Sequence, residues 1–560
     1  MELETGYFDD LYTPQRDLAL LVDRIVRALT LGFAGLFLLT AAVSTWAAYD
    51  RAAAYGQFLL MAMSVLVCFA VAWYALPAET VLGILGLICA IAAAAIATGV
   101  VLLQPTNAGV QGGSLAILLP LGASALLWGW SRQARTVTAA SGLALVAGCV
   151  GLVASDERSA VAALAAACVI ATVLYWATDA GTPVWLRGVL WASLLLGSLA
   201  VMTVYLAAIF SPSFGAVIAR YLPVSVADRF QVWRDALPLI DDYHYTGSGL
   251  ASTELVYSSY VALTHVPFLR HVHNLFVQIG IEQGVVGVIA FVGMLLASGW
   301  GVLITLVRGN ATARLYCTVT LAALAVLVIH GLFDAEVYAS HYVVVLFAPF
   351  GFAWVLQQMG SIDETRFGPV APLWRPYGQL AVIAAVLLPV GVTAFLFVLP
   401  GAKAAMRVNL AAVEQTRIEL ITYTRPGWSF QDQVRRAKAA ELEPALSLYR
   451  LSLSEDPANV AASRRLGQVE LSLGQYDSAF THLSTAYRLA PEQRVNRQLL
   501  GELYALRNDD RTAAQLWSTI DTGQMQLDLR LWWYQAIDDQ ERADKLSQAM
   551  RLRQELVGGQ

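Results

Sequence analysis

The sequence predicts an all-α protein: a polytopic bundle of about eleven membrane-spanning helices followed by a soluble helical-repeat tail. Three observations predict it. The 560-residue chain is 57% hydrophobic and only 14% charged, with a mean hydropathy of +0.58, too apolar for a chain whose only solvent is water. Apolar runs of spanning length recur up to about residue 399. Beyond about residue 402 charges return, and apolar residues adopt helical spacing with a period of ~34 residues.

A bilayer core of about 30 Å needs ~20 apolar residues of helix, because every backbone N–H and C=O must be paired internally there. That length places spans at about 28–48, 57–76, 81–103, 114–130, 137–154, 160–178, 187–210, 284–307, 315–335, 342–357 and 378–399. The expected division is a cytoplasmic segment 1–27, a transmembrane domain 28–400 with a large outer loop at about 211–283, and an extracytoplasmic repeat domain 401–560. Met1 to Arg27 is acidic and polar and lacks an apolar core ahead of a small-residue cleavage site, so it does not read as a cleaved signal peptide.

Lysine is absent from the first 402 residues, so arginine decides the orientation. With a cytoplasmic N-terminus, Arg16, Arg24, Arg27, Arg132, Arg135, Arg187, Arg308, Arg314, Arg366 and Arg375 lie inside, whereas the short outer loops hold Arg51 and Arg158. The expectation is N-in and C-out, which puts the long loop and the tail on the outer side.

A net charge of −5 and a pI near 5.9, without a basic cluster, exclude nucleic acid as a partner. Cys68, Cys89, Cys149, Cys168 and Cys317 all lie in apolar runs with no CxxC spacing, which supports neither disulfides nor a thiolate metal site.

In the tail, Leu466, Gly467, Gly474, Tyr476, Ala479, Leu483, Ala486 and Pro491 form one copy of a pattern that Leu500, Gly501, Tyr504, Ala513 and Trp517 repeat, with a weaker copy at Ala445 and Pro457. This spacing resembles tetratricopeptide repeats, an α-solenoid in which small residues let paired helices approach and a proline closes the second. Such an array offers a concave surface for a protein partner, or a brace for the membrane domain.

Histidine marks the outer side. His244, His265, His271 and His273 fall in the long loop, His330 and His341 at the outer ends of late helices, and His482 in the tail. Imidazole titrates near neutrality and is the commonest general base, so the grouping points to chemistry at the outer face, although histidine also avoids lipid.

The loop carries DRFQVWRDALPLI, YTGSGLAS and HVHNLFVQIGIEQGVVG. His273, Asn274, nine residues, then Gly284-Val285-Val286-Gly287 resembles the signature of the O-antigen ligase and polymerase superfamily. Arg229-x-x-x-Trp233 and the turn Gly247-Ser248-Gly249 match what this superfamily shows upstream of its histidine. His330-Gly331-Leu332-Phe333-Asp334 resembles the polar end of the next span, and Arg158 stands where relatives carry an arginine opening an earlier helix.

The residues also read on their own terms. Asn274, Gln278, Glu282 and Gly287 recur at helical intervals, which predicts an amphipathic helix lying along the interface with His273 at its outer N-terminal end. The positive end of the helix dipole leaves such a ring available as a base. Gly284 and Gly287 would let that helix pack closely on a neighbour. A guanidinium offers a planar fork of donors to phosphate oxygens, so Arg158 and Arg229 facing an outer cavity would grip a pyrophosphate. Arg234 reads instead as pairing with a headgroup or a carboxylate. His271 reads as supporting or structural. Glu282 lies too far along the helix for a second acid, and Asp334 and Glu336 read as solvated or as contacts to acceptor hydroxyls.

What the resemblance implies is a GT-C-like membrane glycosyltransferase of the bacterial cytoplasmic (inner) membrane. It would move a saccharide from a polyprenyl-diphosphate-linked donor to a hydroxyl of a glycan, lipid or protein acceptor on the periplasmic or extracellular side, with inversion. His273 would be the catalytic base and Arg158 and Arg229 the diphosphate ligands, with Asn274, Gly247, Gly249, Glu282, Gly284, Gly287 and His330 in support. No cofactor is expected, and no metal: Asp241-Asp242 and Asp9-Asp10 lack the Asp-x-Asp spacing that holds a metal-bound diphosphate. The alternatives are a polysaccharide or lipid transporter, whose paired broken helices with midplane charges are not seen, and a non-catalytic envelope-assembly scaffold.

Overall fold

The structure, a computed structural model, describes residues 14–70, 77–103, 109–220, 224–263, 269–359, 375–421, 431–518, 520 and 526–558. His265, Arg366, Asp9 and Asp10 lie outside the described residues. Among the described residues every regular element is a helix, as the sequence predicts.

The first seven helices are α1 (Pro14–Ala47), α2 (Arg51–Ala70), α3 (Ala78–Leu103), α4 (Gly109–Ser131), α5 (Arg135–Ala154), α6 (Arg158–Thr178) and α7 (Val184–Phe210). The long loop folds into α8 (Pro212–Ala219), α9 (Val224–Asp242) and α10 (Thr253–Tyr260), and the bundle resumes with α11 (Leu275–Arg308), α12 (Ala311–Gly331), α13 (Val343–Met359) and α14 (Arg375–Leu396). Nine of the described helices, α1 to α7, α11 and α12, are long and apolar enough to cross a membrane. The two remaining expected spans coincide with shorter apolar stretches, Val343–Met359 and Val386–Leu396. The protein is a multi-pass membrane protein.

Two apolar cores hold the bundle. One joins α1, α2, α11 and α13, where Phe37 meets Phe291 and Phe347 at ring separations of 5.6 and 5.9 Å. The other joins α3, α4, α6 and α12. Lipid supplies no hydrophobic drive between helices, so close approach through small residues does the packing: a Cβ on Gly86 of α3 would come within 2.5 Å of the Ala125 nitrogen of α4. Alternating chain direction gathers the α5–α6 and α12–α13 turns and the α7–α11 loop at one end.

The tail begins with α15 (Ala402–Leu420), α16 (Gln431–Ala437) and α17 (Ala439–Glu455). Three helix pairs follow: α18 (Val460–Ser472) with α19 (Tyr476–Leu489), α20 (Arg494–Leu506) with α21 (Asp510–Ser518), and α22 (Gln526–Ala536) with α23 (Gln540–Gly558). The small residues of the repeat pattern sit where the paired helices meet: a Cβ on Gly467 would come within 2.7 Å of Leu483, and one on Gly501 would strike Trp517.

The tail does not hang free. Asp242, at the end of α9 and fully buried, accepts from Arg464 Nη2 at 2.5 Å and Arg465 Nε at 2.8 Å. Arg465 also donates to the Tyr243 hydroxyl at 2.7 Å, and Arg494 binds Asp235 at 3.0 Å and the Val261 carbonyl at 2.9 Å. These bonds seat the tail on α9 and the long loop.

Candidate functional site

The site is assembled around the start of α11. Asn274 is its N-cap: its side-chain oxygen accepts from the backbone N–H groups of Phe276 and Val277, both at 3.0 Å, which satisfies two donors that a helix N-terminus leaves open. The Asn274 amide donates to Tyr205 Oη at 2.6 Å and the Leu332 carbonyl at 3.2 Å. One asparagine thus fixes the helix start against α7 and the end of α12. His273, the residue before the cap, has φ of 52°, a left-handed conformation uncommon outside glycine and enriched where a side chain is aimed for function.

Aimed that way, His273 Nδ1 lies 3.6 Å from Asp334 Oδ2, in ion-pair range. The His271 ring stands edge-on to it, centroids 4.3 Å apart. Asp334 is 5% exposed, which corrects the reading of it as a solvated surface group. Its backbone N–H bonds the His330 carbonyl at 2.9 Å, and Oδ1 accepts from the Glu336 N–H at 2.7 Å. Burial works to raise the Asp334 carboxyl, but His273, His330, His271 and the Glu336 N–H outweigh it and hold the group well below the usual carboxylate range. Burial, helped by the neighbouring His273 ring and by Arg229 and Arg270 against the pull of Asp334, pushes His271 down to about 4, so it is neutral at physiological pH. His330, 4% exposed, packs behind Asp334 with its ring against Gly113.

Arg229 arrives from α9. An aromatic cluster of Tyr205, Phe230, Trp233 and Phe333 clamps that helix, and Trp233 Nε1 donates to the carbonyls of Val272 at 2.9 Å and His273 at 3.2 Å. Arg229 itself donates to the Phe333 carbonyl, one residue from Asp334. Arg158 opens α6 at the same end, but its side chain is 92% exposed and its ion-pair partner is Asp156, 3.8 Å away. Its neighbour Glu157 is the member of that turn that acts electrostatically on His330 and Glu336. The structure therefore brings His273 and Arg229 together on the Phe333–Asp334 segment, with Arg158 on the rim.

The glycines act through the backbone. Gly284 has φ 73° and ψ −179°, a break inside α11 in a region essentially open only to glycine. Gly247, with φ 69°, sits against the Glu282 carbonyl so closely that a Cβ would collide with it. Ser248 and Gly249 donate their N–H groups to the carbonyls of Ile281 at 2.8 Å and Glu282 at 3.3 Å, so the Gly247-Ser248-Gly249 turn latches onto the break. Gly249, at φ 115°, presses on Ala48. The close approach expected at Gly284 is made to His244 and Gly247 of the loop rather than to a neighbouring helix, and Gly287 faces Gln283 and Ile279 of its own α11.

The expected interfacial helix is also corrected. Gln278 and Glu282 are buried: Glu282 Oε1 accepts from Thr253 Oγ1 at 2.9 Å and from Gln278 Nε2 at 2.8 Å. The polar stripe is real, but the long loop covers it, so Glu282 braces the loop.

Sequence reading undervalued Asp334 and passed over Arg270, which sits one residue before His271 and adds positive potential beside it. As for metal, His271, His273 and Asp334 offer three ligand atoms within 4.8 Å of one another. Metal bonds of 2.0–2.2 Å set tetrahedral ligand atoms about 3.4 Å apart, close to the 3.6 Å between His273 Nδ1 and Asp334 Oδ2, so the spacing admits an ion as well as a histidine–carboxylate contact.

Glu336 supplies a test of this electrostatic picture. Burial, then repulsion from Asp334 and Glu157, pushes its carboxyl from 4.5 up to about 7, against the pull of Arg270. The folded state thus binds this proton more tightly than the unfolded chain, and the associated stability, full below about pH 4.5, is lost as pH rises through about 7. Glu336→Gln should therefore lose less thermal stability than the wild type between pH 5 and pH 8, measured by unfolding in nanodiscs.

Residues 143–292 match the family model described as O-antigen ligase. The match spans Arg158, Arg229, the Gly247–Gly249 turn and the His273–Gly287 block, and stops short of His330 and Asp334. No curated protein matches the chain. With the spans, the long loop and this match taken together, the chain is a multi-pass membrane protein whose residues 143–292 are similar to the O-antigen ligase family.

Proposed function

We propose that the protein transfers a saccharide from a polyprenyl-diphosphate lipid to an acceptor hydroxyl at the outer face of the cytoplasmic membrane, as part of envelope polysaccharide assembly. The observation that carries this reading is the pairing of His273 with buried Asp334 beside Arg229.

With Nδ1 turned to Asp334, the other ring nitrogen of His273 is left for the acceptor. The acceptor oxygen attacks the anomeric carbon, its proton passes to His273, and the bond from that carbon to the diphosphate breaks with the electron pair leaving on the diphosphate oxygen. Attack opposite the leaving group inverts the centre. Asp334 is a positioning residue: it holds the tautomer and stabilises the imidazolium that forms, the logic of a histidine oriented by a buried carboxylate. Arg229, joined by Arg158 once a donor draws it inward, meets the charge that develops on the leaving diphosphate. The arginine bias supports an N-in, C-out orientation, and the tail, a tetratricopeptide-type brace, fixes α9 and hence Arg229.

The direct experiment supplies purified protein in liposomes with a polyprenyl-diphosphate-linked saccharide and an acceptor glycan, and looks for transfer that chelation leaves unchanged. Absence of transfer with every acceptor class, or transport of intact lipid-linked saccharide instead, overturns the reading. Arg229→Ala should raise the donor KM and lower kcat, together costing about 10²–10³ in kcat/KM; kinetics equal to wild type would remove Arg229 from the site.

A further inference from the structure

The largest cavity among those described lies away from His273. It has a volume of about 420 Å³ and sits between the outer end of α7, one flank of α9 and the start of α20, a size suited to a small polar ligand. Its lining intersperses apolar side chains, Ile209, Phe210, Leu237 and Val495, with polar ones that include Gln231, Arg234, Asp241, Glu492, Gln493 and Arg497.

Two features of the polar lining point to a ligand. Arg234 Nε and Arg497 Nε are both shut off from solvent and have no hydrogen-bond partner, although an unmet buried donor costs about 1–3 kcal/mol. Among the described residues neither guanidinium is within ion-pair distance of a carboxylate; it is Arg494 that takes Asp235. The guanidiniums of Arg234 and Arg497 are balanced by the carboxylates of Asp241 and Glu492, so the lining has no net charge with which to hold a phosphate dianion. Donors and acceptors interspersed with apolar side chains fit a ligand that is itself neutral, rich in hydroxyls and apolar on its ring faces.

We infer that this cavity is a saccharide-binding subsite, separate from the reaction centre, that holds a stretch of glycan between the bundle and the tail. The inference rests on the transferase reading for the source of the glycan. Positions 229 and 233 of α9 face the His273 site, whereas 231, 234, 238 and 241 face the cavity. One helix, about 10–12 Å across, separates the two, so a chain that passes α9 reaches both and is retained between transfers. The saccharide comes either from the donor or from the acceptor; both present the same hydroxyl chemistry.

The test uses the full-length protein in nanodiscs and size-fractionated saccharides released by mild acid, in one arm from the lipid-linked donor and in the other from the finished surface polysaccharide. Saturation-transfer NMR should detect binding in one arm. Arg234→Gln/Arg497→Gln should weaken that binding about tenfold, the loss of one to two charged hydrogen bonds, and Gln493→Trp should block it by filling the space. Both variants should raise KM for long-chain substrate while leaving kcat unchanged, with unaltered thermal unfolding. His273→Ala should bind the saccharide like wild type. Saccharide binding in neither arm, or binding by both variants equal to wild type, overturns the subsite. Loss of transfer with binding retained would instead strike at the transferase assignment.

Discussion

Replacing His273 with alanine should lower saccharide transfer by about 10³-fold, within the range of 10²–10⁴ that a positioned general base contributes. Donor affinity should change little, since the diphosphate ligands are arginines. The companion change Asp334→Asn keeps the shape but removes the charge that faces Nδ1 at 3.6 Å. It should reduce kcat by one to two orders of magnitude with KM unchanged, a split that collapse of the fold would not produce, and Asp334→Glu should recover part of the loss. Turnover of the alanine variant near the wild-type level would mean that the proton leaves by another route, and the assignment of His273 would fall.

The second large effect concerns stability. Asp242→Ala leaves the guanidiniums of Arg464 and Arg465, 1% and 0% exposed, without their carboxylate. Removing one partner of a buried ion pair costs about 3–5 kcal/mol, because the remaining charge is stranded away from water. Here two charges are stranded at the contact between α9 and the tail. The tail should detach from the loop at lower temperature, seen as early protease cleavage beyond residue 400 and a lowered unfolding midpoint. Activity should fall with it, since α9 carries Arg229 and Trp233. Asp477→Ala, which removes the exposed partner of Arg507, serves as the control and should change neither quantity measurably. Equal behaviour of the two variants would show that the tail is not fixed through Asp242.

By itself the sequence determined whatever depends on neighbours along the chain. The need to pair every backbone group in lipid made the spans legible as apolar runs, and the repeat period located the helix pairs at Gly467 and Gly501 before any coordinates. The helical recurrence that begins at Asn274 put His273 at the N-terminal end of α11, whereas the capping role of Asn274 came only from the structure. Periodicity likewise put Gln278 and Glu282 on one face.

What that face meets was decided only in three dimensions, where Thr253 and the loop bury it. The same holds for Asp334 against His273, for Asp242 against Arg464 and Arg465, and for Arg158, whose guanidinium stays outside the ring that its position suggested. Each of these depends on the rotation and offset of helices far apart in the chain. A shift of one residue turns a side chain by 100°, and no local pattern records which way the partner helix was turned.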